Sequence, residues 1–323
     1  MKDTQKKCFT DYLDTVQLIS KMARENFGED SFFCAEDDHS ALVSVFDGCG
    51  GLGARRYQDI GGHTGAYIAS RIVSGAVHDW YYSKKNRRLD SFTVTKELKN
   101  YIGKAYSVCE PYAVERIKIQ GSMVRKLPTT FAMAYAEQDG SSILVHIIWA
   151  GDSRVYLLDT DGLAQLTLDD TDVADALENL SSDGVMNNVL SSDGNYKLSY
   201  TAVRLNRPAI ILAATDGCFG YVSSPMEFEY FIVESLVKSE TPESFRENLK
   251  TCIDEYAGDD FTMGIMSFCY GTYTAMRNAY KQRLGLLESE YMSVMEENEE
   301  DENCIGALWE KYKPMYERYL ERN

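Results

Sequence analysis

Residues 131–158 read FAMAYAEQDGSSILVHIIWAGDSRVYLL. Three apolar runs of strand length lie in this stretch, Phe131 to Ala136, Ile143 to Ala150 and Val155 to Leu158. The segments between them, EQDGSS and GDSR, are of hairpin length, whereas parallel neighbours need a crossover of about a dozen residues or more. Antiparallel pairing is therefore expected. Similar runs occur at Ala41 to Phe46 (ALVSVF), Ala209 to Ala214 (AIILAA) and Thr262 to Tyr270, bounded by Gly, Asp and Ser. Helical spacing is read in Thr64 to Trp80, in Ser91 to about Ile119, and in a pair around 225–238 and 242–256. Short connections and strands in excess of long helices favour an antiparallel α+β fold over a doubly wound parallel sheet.

After Tyr270 the pattern changes. Met276, Tyr280, Leu284, Leu287, Tyr291 and Val294 mark an amphipathic helix, an acidic run EENEEDEN follows, and a second amphipathic stretch carries Ile305, Leu308, Trp309, Tyr312, Met315 and Tyr319, interrupted by Pro314. This divides the chain into 1–271 and a helical extension, 272–323, with a solvated acidic connector. The extension could pack on the main domain or serve as an arm for a protein partner.

The chain has 33 Lys and Arg against 50 Asp and Glu, a formal net charge of −17. Such a protein repels nucleic acid and anionic membranes, so neither is an expected partner. A hydrophobic fraction of 44% and an aromatic fraction of 12% suit a globular core. No apolar window reaches the ~18 residues of a membrane span, and the N-terminus lacks the apolar centre of a secretory leader; a cytoplasmic location is expected. Eight scattered cysteines form no CxxC pair and read as reduced thiols, and four dispersed histidines leave any metal to oxygen ligands.

Six Asp-Gly pairs occur, and for Asp139, Asp161 and Asp193 a tight turn accounts for them. Asp47 and Asp216 differ, because each closes a run that should be buried (LVSVF and IILAAT). Asp152 follows ILVHIIWA, Asp259 and Asp260 precede FTMGIMSF, and Glu29 and Asp30 precede SFFCA. Carboxylates at strand ends suit Mg2+ or Mn2+, which prefer oxygen donors, and two such ions can share one hydroxide for attack on phosphorus. Acidic clusters also arise as solvated surface.

Seven segments, GEDS (28–31), VFDGCGG (45–51), PTTFAMAY (128–135), WAGDSRVYLL (149–158), QLTLDD (165–170), LAATDGCFGYV (212–222) and GDDFTMGIM (258–266), resemble in wording and order the type 2C family of metal-dependent protein serine/threonine phosphatases. The resemblance runs from about Arg24 to Tyr270. It implies a four-layer αββα sandwich of two antiparallel sheets flanked by helices. It further implies that Asp47 bridges two Mn2+ or Mg2+ ions, that Gly48 offers its backbone carbonyl, and that Glu29, Asp216 and Asp259 complete the shells. Asp152 matches the residue that helps bind a third, weaker metal in many bacterial relatives. Asp30 would orient a metal-bound water, and Arg24 would grip the substrate phosphate.

This chain departs from the pattern in places. Arg24 stands six positions before Asp30, one more than the usual spacing, and Asp260 replaces an Asn. About ten residues are inserted after DGCGG, so that His63 corresponds to the His that follows the glycines. Cys49 occupies the position of a proposed general-acid His, and a thiol with an ordinary pKa near 8.5 is the poorer donor. The inserted Arg55 and Arg56 could meet a phosphorylated substrate or simply be solvated, and residues 170–198 match the family's flap. The implied activity is hydrolysis of phosphoserine or phosphothreonine in a phosphoprotein by in-line attack of a metal-bridging hydroxide. Two alternatives stay open, an inactive member that binds a phosphoprotein or other partner, and a phosphatase of a small phosphorylated molecule.

Overall fold

The computed structural model describes residues 8–84, 90–109, 126–182, 184–298 and 301–320. The part of the second helix expected over 110–119, and residues 299–300 of the acidic connector, lie outside them. In chain order the first elements are β1 (Leu13–Lys21), β2 (Ser31–Glu36), β3 (Ser40–Phe46), a two-residue ladder of β4 (Arg56–Tyr57) with β5 (His63–Thr64), α1 (Gly65–Ser83) and α2 (Ser91–Cys109). Then come β6 (Phe131–Asp139), β7 (Ser142–Ala150), β8 (Arg154–Asp159), β9 (Gly162–Gln165), the single turn α3 (Glu178–Ser181), β10 (Ser199–Leu205) and β11 (Ala209–Ala214). The chain continues with α4 (Pro225–Lys238), α5 (Pro242–Tyr256), β12 (Phe261–Phe268), α6 (Tyr273–Leu287), α7 (Ser293–Glu297) and α8 (Glu302–Tyr316).

Two five-stranded antiparallel sheets form, with strand orders β1-β12-β11-β8-β9 and β10-β7-β6-β3-β2. The opening stretch supplies the hairpin β6–β7, whose Asp139 pairs with Ser142. Its period-two pattern sets the layers: Ala132, Ala134 and Ala136 face the second sheet, while Phe131, Met133 and Tyr135 face the helices. Small inward residues let the sheets close over Val43, Val45, Ile147, Leu157 and Ile211. On one outer face α1 and α2 bury Val73, Val77, Trp80 and Leu98. On the other, α4 and α5 bury Phe228, Ile232, Phe245 and Leu249. Both helices start at Ser-Pro or Thr-Pro, where the hydroxyls of Ser224 and Thr241 accept the amides of Glu227 and Ser244 and proline fills the first turn. The result is the expected αββα sandwich.

The C-terminal helices extend that second outer layer. Met276, Tyr280, Leu287, Ile305, Trp309, Tyr312 and Tyr316 all enter the core cluster on β8, β11 and β12. An ion pair is buried beneath them, with Arg283 donating to both carboxylate oxygens of Glu229 on α4 at 2.7 and 2.6 Å and the Tyr312 hydroxyl donating to Oε2 at 2.5 Å. Two details differ from the sequence reading. A π-turn at Glu288–Met292 inserts about one residue, so that Met295 rather than Val294 is buried. Pro314 does not interrupt α8, which runs on to Tyr316; lying in the last turn, it forgoes a single bond back to the preceding turn and leaves only two residues of helix beyond it.

Candidate active site

Strand register gathers the singled-out carboxylates at one end of the sandwich. Ala214 at the end of β11 pairs with Met263 near the start of β12 and with Arg154 at the start of β8. Residues just outside those positions, Asp216, Asp259, Asp260 and Asp152, are therefore neighbours. In the other sheet Ser31 pairs with Phe46, which places Glu29 and Asp30 beside Asp47. Hydrogen bonds join the sheets here: the Thr215 hydroxyl donates to Asp30 Oδ2 at 2.9 Å, and the hydroxyls of Thr130 and Ser153 lie 2.6 Å apart.

The Asp47 backbone is fixed from β6. Its carbonyl accepts the Thr130 amide at 2.8 Å and the Thr129 hydroxyl at 2.7 Å. Gly48 must lack a side chain, since a Cβ there would sit 2.7 Å from the Ala66 backbone and 3.0 Å from Glu29 Cβ. Gly217 is held as tightly, its Cα lying against the Asp260 carbonyl with no room for a Cβ. That approach brings the Asp216 turn onto the Asp259–Asp260 turn. Glu29 itself is held by the Thr64 hydroxyl on Oε1, while its carbonyl accepts Ser70 Oγ at 2.5 Å and Arg71 Nη1 at 3.2 Å.

Electrostatically the group is strained by its own charge. Burial pushes the Asp47 carboxyl well up, and Asp216, Asp30, Asp152 and Asp259 push it further. Burial raises Asp30 to about 8 against the opposing hydrogen bonds of Thr262 and Thr215, raises Asp152 to about 8 with the help of Asp216 and Asp169, and raises Asp216 to about 6 with the help of Asp259. Glu29 is raised by burial too, with Asp260 and Asp259 adding to it. Asp152 Oδ1 is buried without a hydrogen-bond partner among the described residues. As the side chains stand, no group of three or more His, Cys, Asp or Glu among the described residues closes into a coordination shell. The chemistry of the set nonetheless fits a hard divalent cation, with all-oxygen donors, mutual repulsion and one orphaned buried oxygen.

A cavity of about 370 Å³ opens beside Asp152 and Asp216 and is walled by Thr171, Asn179, Ser181 and Tyr221. Of the other singled-out residues, Asp259 is exposed and is not part of the lining of this cavity. Arg24 is exposed in the turn between β1 and β2, and its guanidinium makes no hydrogen bond or ion pair among the described residues. His63 stacks on Tyr67, with centroids 3.8 Å apart, and lies 5.8 Å from the Phe27 ring. It makes no hydrogen bond to a carboxylate among the described residues. The Cys49 thiol is pushed well up by burial and by the charges of Asp47, Asp152 and Asp216, which keeps it protonated and a poor nucleophile.

Several contributors were not legible as such. Asp260 uses both carboxylate oxygens on backbone, accepting the Ala23 amide at 2.6 Å and the Glu29 amide at 2.5 Å, and so fastens the turn that carries Arg24. An Asn offers only one acceptor, which gives the substitution noted in the sequence a physical reason. Arg154 forks onto Asp169 at 2.6 and 3.0 Å, and Asp170 accepts the Gly151 amide at 3.0 Å, holding the loop of Asp152. The motifs GDSR and QLTLDD contained these residues, but nothing in their spacing shows that they pair.

The raised carboxylates set a pH dependence. An acid whose pKa is higher folded than unfolded binds its proton more tightly in the native state, so its contribution is present at low pH and is lost as pH rises from about 4 through about 8. The metal-free protein is expected to melt at least about 5 °C higher at pH 5 than at pH 8, and Mn2+ is expected to restore the loss at pH 8. Melting curves in chelator across this range, flat or rising with pH, would contradict the raised values.

The family model for protein phosphatase 2C matches residues 20–254. No curated protein sequence matches the chain. Among solved structures, the serine/threonine phosphatase Stp1 from Staphylococcus aureus is 20% identical, covers 79% of this chain and 94% of its own, and superposes with a TM-score of 0.58. The Mycobacterium tuberculosis serine/threonine phosphatase PstP/Ppp is 20% identical, with 79% and 98% covered and a TM-score of 0.54. A PstP catalytic domain in complex with two manganese ions is 18% identical, with 80% and 98% covered and a TM-score of 0.52. At such identities the likeness is one of fold. The matched region stops within α5, so that α6 to α8 lie outside it.

Proposed function

Because the chain belongs to the protein phosphatase 2C family, we propose that it hydrolyses phosphoserine and phosphothreonine esters of proteins with the help of divalent cations held at the strand-end carboxylates. The observation that carries this reading is the gathering of Asp30, Asp47, Asp152, Asp216 and Asp259 at one end of the sandwich, where Asp152 and Asp216 line an open cavity and burial together with the other four charges raises the Asp47 carboxyl. Asp47, Asp216, Asp259, Glu29 and the Gly48 carbonyl would hold two ions, and Asp152, with its orphaned oxygen, would help hold a third. The PstP catalytic domain of the same fold carries two manganese ions, and Mn2+ or Mg2+ suits this oxygen set. When bound, such ions supply Lewis acidity and an activated water for in-line attack on phosphorus.

The chain's own residues do the rest. Asp30, Asp47, Asp152 and Asp216, raised by burial and by one another's neighbourhood, would ionise on holding a cation, whose charge would offset their repulsion. Thr215 holds Asp30 by its Oδ2, fixing a carboxyl that can hold or release a proton beside Asp216. Asp260 anchors the Arg24 turn at the Ala23 amide, leaving the guanidinium to reach a phosphate with its forked donors. Cys49 stays a thiol, so no covalent phosphoenzyme forms through it.

Purified protein is expected to hydrolyse p-nitrophenyl phosphate only with Mn2+ or Mg2+, and to favour phosphoserine or phosphothreonine peptides over small phosphometabolites in a panel. Preference for a metabolite would move the substrate class, and calorimetry with no divalent-cation binding would favour the partner-binding alternative.

A further inference from the structure

The segment that walls the catalytic cavity is a thin partition. Arg154, Asp169, Thr171 and Asn179 line the cavity beside Asp152 on one side, and the same four residues line a second cavity of about 200 Å³ on the other. That second cavity separates the partition from the end of α8, where Tyr316 and Leu320 close it. Apolar packing reaches residues 170–182 through Ala176, Leu177 and Leu180, and with space on both faces it does not by itself fix where the rest of the segment sits. Specific contacts must do so.

Asp175 is where those contacts meet. Its Oδ1 accepts the amides of Leu177 and Glu178 at 2.9 and 3.1 Å and so caps the α3 turn, which carries Asn179 and Ser181 into the catalytic cavity. The same carboxylate takes the Trp309 indole N–H at 3.1 Å and the Lys313 ammonium, both from α8. A second strut starts one turn further along α8. The Tyr316 hydroxyl donates to Gln165 Oε1 at 3.0 Å, Gln165 Nε2 donates to Asp169 Oδ1 at 3.0 Å, and Asp169 holds Arg154 two residues from Asp152. Both struts run from outside the family-matched region into the wall of the site.

We propose that helix α8 sets the position of this wall, with Trp309, Lys313 and Tyr316 acting as positioning residues for a bulky phosphorylated substrate. The inference rests on the phosphatase reading for its substrate and on contacts alone for its mechanism. The C-terminal helices thereby become a handle on the site, since whatever shifts α8 shifts Asp175 and the α3 turn with it. A small ester that meets only the cation cluster is insensitive to the wall, whereas a phosphopeptide that must pass it is not.

The test uses the full chain carrying Trp309→Phe with Lys313→Met, which keeps an aromatic ring in the core at 309 and an aliphatic stem at 313 but removes both donors to Asp175. Hydrogen exchange of amides 170–182 is expected to accelerate by about tenfold while β7 and β8 keep their protection. KM for a phosphoserine peptide is expected to rise several-fold while kcat for p-nitrophenyl phosphate stays within about twofold. Lys313→Arg alone, which keeps a cation for Asp175, should leave both at their parent values, and Lys311→Met, which loses an exposed ion pair with Glu290 and a ring contact with Tyr291 away from Asp175, should change neither. Asp175→Asn approaches the contact from the other side without touching the α8 core: its one oxygen keeps the α3 cap and an acceptor for Trp309 while the charge facing Lys313 is lost, so exchange should shift in the same direction by a smaller factor. Unchanged exchange in both variants, or acceleration spread evenly over the fold, would overturn the proposal. A wild-type chain inactive on every phosphoester would instead sink the phosphatase reading, and the exchange arm would still decide this one.

Discussion

Asp47→Asn and, separately, Asp216→Asn are expected to lower Mn2+-dependent turnover by at least about a thousandfold while leaving the fold intact. Asn keeps the volume and one neutral oxygen, so the strand ends remain packed, but the charge that would hold a cation is gone. The same substitutions should raise the stability of the chelated protein at pH 8. Asp47 has its carboxyl pushed up by burial and then by four other carboxylates, and removing its charge relieves all four at once, so the chelated variant should melt higher than the chelated parent at pH 8. Activity and metal-free stability thus move in opposite directions, which separates a functional carboxylate from one that supports the fold. Asp161→Asn is the matching control. That aspartate lies in the β8–β9 hairpin turn and pairs with Arg207 at the surface, so its loss should leave turnover unchanged. Full activity in either site variant would end the metal-assisted reading.

What the sequence disclosed followed burial. β3, β8, β11 and β12 are buried along their whole length, sandwiched between a second sheet and a helix layer, so they read as unbroken apolar runs. The sheet edges did not. β1 and β10 lie at the margins, LDTVQLISK being half-buried along most of its length and SYTAVRL half-buried or exposed up to its last residue, and neither stood out as a strand. β9 is only four residues and hid inside a turn signal, Asp161-Gly162. The ends of buried strands were therefore visible, and with them Asp47, Asp152, Asp216 and Asp259, while Glu29 stood out only by preceding the short run SFFCA of the half-buried edge strand β2. What holds those residues was not, because Thr215 on Asp30, Asp260 on the Ala23 amide and Tyr316 on Gln165 join positions far apart in sequence. Local spacing carries no record of such pairs.

The tail carries the last prediction. Ending the chain after Gly271 should give no soluble folded protein, although the truncated chain still contains the entire family-matched region. Tyr280, Leu287, Trp309, Tyr312 and Tyr316 are buried against β8, β11 and α4, and their loss would expose that apolar face together with the Glu229 carboxylate. A gentler variant isolates the charge. Arg283→Met leaves Glu229, which is fully buried, with the Tyr312 hydroxyl and no cation, and removing one partner of a buried pair destabilises by about 3–5 kcal/mol. Melting is expected to fall by about 5–10 °C. Adding Glu229→Gln should recover much of the loss, because the remaining side chain is neutral and still accepts from Tyr312. If the truncated chain melts as the full one does, α6 to α8 are an appendage. If it fails to fold while the paired substitution folds, the outer helical layer of this phosphatase is completed only by its last fifty residues, and the struts from α8 to Asp175 and Gln165 stand on a foundation the catalytic sheets require.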